Sequence, residues 1–269
     1  NPNKPDGQGY AIYIMELATG LIMRRFTTYD NDPAKPFTAA VTGSVAAFNS
    51  APGTLISRAF VGDGKGRLLR VDLRSDDPRN WAVSLFHDSG ADSPILIRPS
   101  MSAGRNGRIT VVYGNGDIDN LEQRDTRARV ISLGEKIVLN DDGTPRSTTA
   151  DVNWILELGR HEKLTGTPIV ANSVAYFPTF VPHSVDACSK GRGRVWALDY
   201  QGNDPNAIND LVGGFDPNGK DFDTNQQNRP SITLNQNNQY FDLDFDSVVI
   251  GQLTFINNPV CLDDLPNPE

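Results

Sequence analysis

Apolar and polar residues alternate in short runs along this chain, and one such run returns four times. Tyr13–Leu17 (YIMEL), Leu69–Leu73 (LRVDL), Arg129–Leu133 (RVISL) and Trp196–Tyr200 (WALDY) all end in the same way: an apolar residue, then Glu, Asp or Ser, then Leu or Tyr. The polar positions, Glu16, Asp72, Ser132 and Asp199, are spaced by 56, 60 and 67 residues. Alternation with period two marks strands, and recurrence on this scale marks a repeat architecture. Within one copy, Arg58–Gly62 (RAFVG), the turn Asp63–Gly66 (DGKG) and Arg67–Leu73 (RLLRVDL) read as a hairpin with glycines where positive φ is needed. Ile109–Asp117 and Ser173–Phe180 are the matching strands of later copies, where the hairpin loop has grown to about a dozen residues. The Asp after the strand seats the turn leaving the unit, by accepting hydrogen bonds from nearby backbone N–H groups.

The pattern predicts strands over residues 10–16, 58–62, 67–73, 109–114, 129–133, 173–180 and 194–200, with no helix longer than a turn or two. A unit of about 60 residues holding three or four antiparallel strands is a propeller blade. The expected fold is therefore all-β, a β-propeller with quinoprotein-like blades. Four copies and a strand-rich tail give about four to five blades, and propellers close with about 4–8. Residues 1–269 thus read as an incomplete ring or the C-terminal portion of a larger one. An all-β sandwich with coincidentally similar strands is the alternative. The opening NPNKPDGQG is polar and turn-like; it is no signal peptide and reads as the middle of a longer precursor.

Composition narrows the function. A net charge of −8 and the lack of a long basic run argue against a non-specific nucleic-acid binder. The Met23–Arg25 run reads as the cap of a solvated strand end. No apolar stretch approaches the roughly 20 residues of a membrane-spanning helix. Candidate chemistry is sparse. GDGKG (Gly62–Gly66) lacks the spacing and following helix of a phosphate loop, so Asp63, like Asp117, is assigned to a turn. HEKL (His161–Leu164) has no second histidine one helical turn on, and no G-x-S-x-G nucleophile elbow occurs. His87, His161, His183 and the two cysteines, Cys188 and Cys261, show no metal-ligand spacing. The loop Phe215–Asp223 carries Asp216, Asn218, Asp221 and Asp223. It is either a solvated loop or a weak cation site, without EF-hand spacing. The Asn- and Gln-rich segment Thr224–Asp246 reads as an exposed loop and edge strand suited to contacts.

Four stretches resemble the C-terminal propeller of the PilY family, large proteins associated with type IV pilus tips. Gly9–Met23 resembles the family's strand–Asp–x–x–Thr–Gly opening, and Val41–Leu73 the segment leading into its Gly–Asp hairpin. Leu164–Tyr200 matches down to the Cys–Ser before a Gly-rich turn, and Gly251–Cys261 resembles the family's final strand and cysteine. The matches run in order over most of the chain. Where family members often carry an Asp-rich calcium loop, Phe48–Ser57 has no carboxylate, so calcium binding is not carried over.

The resemblance implies a non-enzymatic protein of the type IV pilus (fimbrium) tip. It would support pilus assembly, adhesion and twitching motility, with minor pilins and abiotic or host surface ligands as partners. It also implies export through the periplasm and outer membrane to the cell surface, with N-terminal signal and adhesion regions of the precursor outside this sequence. Exported chains tolerate disulfides. A Cys188–Cys261 bridge, 73 positions apart, could then tie the last strand to a blade loop; two free thiols are the alternative. Contacts are expected in the inserted loops Phe180–Gly193 and Gly202–Arg229. Propellers with this blade style also occur in pyrroloquinoline-quinone dehydrogenases, which makes a quinoprotein-type oxidoreductase the second reading. No cofactor floor, cation site or Asp base is identifiable for it.

Overall fold

The computed structural model describes residues 9–27, 37–49, 55–91, 93–103, 108–116, 128–142, 145–171, 174–181, 192–200, 240–243, 247–250 and 254–257. Among the described residues, seventeen strands form five antiparallel sheets, and the helical content is one 3₁₀ turn, Pro78–Asn80. The first sheet is a hairpin of β1 (Ala11–Met15) and β2 (Ile22–Thr27). A four-stranded meander follows: β3 (Ala46–Asn49), β4 (Ile56–Gly62), β5 (Arg67–Asp72) and β6 (Ala82–Asp88). The next meander is β7 (Ser100–Ala103), β8 (Ile109–Gly114), β9 (Arg129–Leu139) and β10 (Pro145–Glu157). In the third large sheet the first strand is broken into β11 (Lys163–Leu164) and β12 (Ile169–Ala171), both paired with β13 (Val174–Val181). Next come β14 (Arg192–Asp199) and β15 (Tyr240–Leu243). The last sheet is a hairpin of β16 (Ser247–Ile250) and β17 (Thr254–Asn257).

This is the architecture of a partial propeller, and the four motif strands lie in different sheets. Asp72, Ser132 and Asp199 lie on β5, β9 and β14, the third strand of each large sheet. All seven strands expected from the pattern are present. β9 runs six residues past the expected end, and Met23–Arg25 lies within β2 instead of capping it. Arg24 is held there with its guanidinium over the Phe26 ring, 5.3 Å from the centroid.

The sheets stack face to face, and each junction is an apolar layer. Phe26 of the first hairpin meets Ala59, Val61, Leu69 and Val71 of the first meander. The other face of that meander, through Phe60, Leu68 and Phe86, packs on Val111, Ile131 and Leu133 of the second. The second meander's far face, with Val112, Val130 and Trp154, packs on Phe177, Trp196 and Leu198 of the third large sheet. Alternate side chains of one strand thus serve two different cores. Close approach needs glycine at Gly62, where an added Cβ would overlap the Ile95 side chain at 2.2 Å.

Polar groups in these layers are paired across them. Glu135 of β9, almost fully buried, accepts from Arg70 Nε of β5 at 2.8 Å and is ion-paired with Arg58 of β4. One junction along, Ser132 Oγ donates to the Tyr200 carbonyl at 2.6 Å, Asn153 Nδ2 donates to the same oxygen at 3.0 Å, and Trp154 Nε1 donates to the Asp199 carbonyl at 2.7 Å. Glu135→Ala leaves the Arg70 guanidinium buried beside an empty space. Unfolding in urea is expected to show a loss of about 3 kcal/mol, the usual consequence of removing one partner of a buried pair. A midpoint equal to the parent's would show that the inter-sheet ion pair is not needed for stability.

Candidate functional site

Asp63 and Asp72, the two of the carboxylates singled out in the sequence that are described, are saturated by the protein's own donors. Asp63 opens the DGKG turn and is fully buried. Its Oδ1 accepts the backbone N–H groups of Lys65 and Arg67, both at 2.9 Å. Its Oδ2 accepts from Arg67 Nε at 2.8 Å and Nη2 at 2.5 Å. Gly66 closes this turn at φ +80°, where a side chain would be strained and would meet Ser89 Oγ at 2.4 Å. The turn role is confirmed and no lone pair is left for a cation. Asp117 lies outside the described residues.

Asp72 performs the exit-turn role: Oδ1 accepts the Arg74 N–H at 3.1 Å, and Oδ2 accepts from Arg74 Nη2 at 2.5 Å and Arg70 Nη1 at 3.2 Å. Partial burial pushes its pKa up, but the Arg74 hydrogen bonds, aided by the Arg70 charge, outweigh this and bring it down to about 2. Glu162, within HEKL, is the most enclosed acid of the third large sheet. It accepts from the Gly159 N–H at 3.1 Å, Thr179 Oγ1 at 2.5 Å, Arg194 Nη1 at 3.0 Å and Trp196 Nε1 at 3.1 Å. Glu162 and Glu135 carry no local signal in the sequence because most of their partners are far away along the chain. Four donors on one carboxylate make it an anchor for the sheet.

The two described histidines, His87 and His161, are not brought together. His87 Nδ1 lies 2.8 Å from Tyr113 Oη at the junction of the first two meanders. Burial pushes the His87 pKa down while Asp88 pulls it up, and burial raises the Tyr113 phenol far above its usual range. His161 sits in a turn at φ 70°, with a buried Nδ1 that lacks a hydrogen-bond partner. His183, Cys188, Cys261, Asp216, Asn218, Asp221 and Asp223 lie outside the described residues. Among the described residues, no three His, Cys, Asp or Glu side chains group as metal ligands would. Residues 50–54 of the carboxylate-free Phe48–Ser57 stretch, and most of the two inserted contact loops, are likewise outside them.

What the described residues do present is a projecting arm. β8 pairs with β9 over Val130–Gly134. Beyond that point, Glu135–Leu139 pairs with β10 alone, over Pro145–Ala150. The two-stranded arm exposes Ile137 and Leu139, 52% and 55% accessible, and ends in Asp141 and Asp142. Leu139, Asn140, Asp141 and Asp142 line a shallow open depression at its tip. Glu135 fixes the root of the arm to Arg58 and Arg70 of the neighbouring sheet. The arm thus combines an apolar flank with an acidic tip on an anchored ribbon, an arrangement with no local signal in the sequence.

No protein-family model matches the chain. No curated protein matches it either. Among solved structures, the crystal structure of the Pseudomonas aeruginosa PilY1 C-terminal domain matches with a TM-score of 0.54, over 87% of this chain. The fold is PilY-like. Sequence identity is 15%, so the likeness carries the fold and does not transfer residues. The chain spans 61% of the length of that solved domain.

The Asp72 geometry gives a pH test. Its carboxylate has a lower pKa folded, about 2, than the roughly 3.9 of an unfolded chain. The ionised form therefore favours folding; this contribution is complete above about pH 4 and disappears as pH falls through about 2. Asp72→Asn should be less stable than the parent at pH 7, and the gap should close between about pH 4 and 2. A gap independent of pH, measured by thermal unfolding, would assign the loss to turn geometry instead of charge.

Proposed function

We propose that this chain is a non-enzymatic component of a type IV pilus tip, supporting pilus assembly, adhesion and twitching motility. The observation that carries this reading is the likeness to the PilY1 C-terminal domain over 87% of the chain. The ordered resemblance of Gly9–Met23, Val41–Leu73, Leu164–Tyr200 and Gly251–Cys261 to the family's motifs supports it. In this reading the stacked sheets are a rigid platform, while the projecting arm and inserted loops meet minor pilins and abiotic or host surfaces. The described acids suit such a role, since Asp63, Glu135 and Glu162 are consumed in holding the platform. Among the described residues, no helix is long and apolar enough to cross a membrane. The protein is exported to the cell surface in this proposal.

Deleting the gene should reduce surface piliation, twitching movement and attachment, with restoration by the intact gene. A deletion strain with normal pili, movement and attachment would reject the proposal. If that strain instead lost a dehydrogenase activity, and the purified protein absorbed as a bound quinone does, the quinoprotein reading would replace it. Export also makes the Cys188–Cys261 bridge part of the proposal. Non-reducing peptide mass spectrometry should find the two segments linked; free alkylation of both thiols in native protein would exclude the bridge.

A further inference from the structure

β6 lies at the junction of the first two meanders with one residue more than its partner strand. Leu68 of β5 stands opposite His87, and the next residue, Leu69, stands opposite Leu85, so β6 bulges at Phe86. A bulge breaks strict alternation and re-aims a side chain. Here two consecutive residues of β6 are turned to the second meander. Phe86 packs in the layer shared with that meander, its ring edge-on to Phe60 at 5.0 Å. Its neighbour His87 is half-buried, and its ring lies edge-on to Tyr113 of β8 at 6.1 Å. His87 Nδ1 and Tyr113 Oη, 2.8 Å apart, form a hydrogen bond from one meander to the next.

The Tyr113 side chain is fully buried, and a buried O–H needs an acceptor. Among the described residues, His87 Nδ1 is the partner of that hydroxyl. This assigns the phenol as donor and His87 as the neutral imidazole with its proton on Nε2. The charged groups around the pair are engaged elsewhere. Asp88, next on β6, accepts the Gly90 N–H at 2.8 Å, and Asp63 in the β4–β5 turn is bound to Arg67. Arg129 of β9 donates to the Ser89 carbonyl and to Glu157 of β10. Burial opposes a charge on His87 and outweighs the pull of Asp88 in favour of one. A proton on Nδ1 turns the acceptor into a donor and leaves the buried phenol O–H without a partner, a costly state.

We infer that the His87–Tyr113 bond is an acid-sensitive latch between the first and second meanders, closed while the imidazole is neutral and opened by a proton on Nδ1. Histidine is the side chain that ordinarily changes charge between about pH 5 and 8. The sign follows from burial, which pushes the His87 pKa below the ordinary value of about 6.5. As pH falls, the unfolded chain takes up this proton before the folded one does. The stability that the latch contributes is therefore present above about pH 6.5 and is lost as pH falls through the lower folded value. The inference stands on the bulge, the burial and the bond between two sheets, and does not depend on the pilus proposal.

Ring-nitrogen NMR of the ¹⁵N-labelled protein tests the protonation state, with His87→Asn identifying the signals. At pH 7.5, His87 should show a bare Nδ1 and a protonated Nε2. At pH 6.5, where about half of ordinary imidazoles are charged, it should still be mostly neutral. An Nδ1–H tautomer, or an imidazolium as the main form at pH 6.5, would overturn the inference. Thermal unfolding reads the latch itself. His87→Asn keeps an acceptor oxygen near the place of Nδ1 but cannot be protonated. Between pH 7.5 and 5.5 the parent should lose at least about 2 °C of Tm more than this variant. Tyr113→Phe, which lacks the hydroxyl, should melt below the parent at pH 7.5 and approach it at pH 5.5. Equal pH dependence in the parent and His87→Asn, or a Tyr113→Phe deficit that is the same at both pH values, would also overturn it. The NMR measurement uses the parent protein and decides the question where a variant does not fold.

Discussion

The first and second meanders are each covered on both faces, and that constraint governs the rest of the structure. Side chains of a strand alternate between faces, so a strand covered on one side alone can be apolar at every second position. A strand between two neighbours cannot follow that rule. Leu68 packs toward the second meander and Leu69 toward the first hairpin, and both are fully buried. Val111 and Val112 divide in the same way between two cores. The central strands therefore read as continuous apolar runs, and the close spacing of sheets selects glycine where backbone meets a neighbour's side chain, as at Gly62 against Ile95.

The energetics of the stack follow from this division. Burying one Val, Leu or Phe side chain is worth about 1.5–3 kcal/mol. A buried ion pair roughly breaks even against its desolvation, although losing one partner is costly. Cohesion between sheets is thus apolar, while Glu135 with Arg58 and Arg70 adds a directional contact between β9 and the sheet before it. The Ser132, Asn153 and Trp154 bonds to the Tyr200 and Asp199 carbonyls do the same at the next junction. Each of those bonds uses a motif residue, which ties the recurrence in the sequence to the registry of neighbouring sheets.

The legible part of the fold was its apolar central strands. β4, β5, β8, β13 and β14 announce themselves as apolar runs, and the Asp63 turn as a pair of glycines flanking Asp and Lys. β10 was not legible, because it is an edge strand whose first half, PRSTTAD, is polar and whose Val152 and Ile155 are partly exposed. The extension of β9 into an arm was missed for a related reason: Glu135 and Lys136 interrupt the apolar run, yet the backbone pairing with β10 continues. Glu135 itself gave no local signal, since its partners lie 77 and 65 positions away. Glu162 was read only as part of a failed zinc motif, whereas its donors come from the neighbouring strands β13 and β14.

A shared fold does not specify chemistry; a site does. Two-stranded ribbons are marginal on their own, so an arm of this kind needs its root held. Here the root is Glu135, which belongs at once to β9 and, through two arginines, to the sheet before it. From Leu139 the backbone of β9 runs back into the layer of Phe60, Leu68, Val111 and Ile131, where separation would expose a whole apolar interface. The same side chains that make the platform stiff are those unavailable for proton transfer or cation binding. The buried acids are thus used as struts between and within sheets, while the apolar residues of the ribbon are left on display.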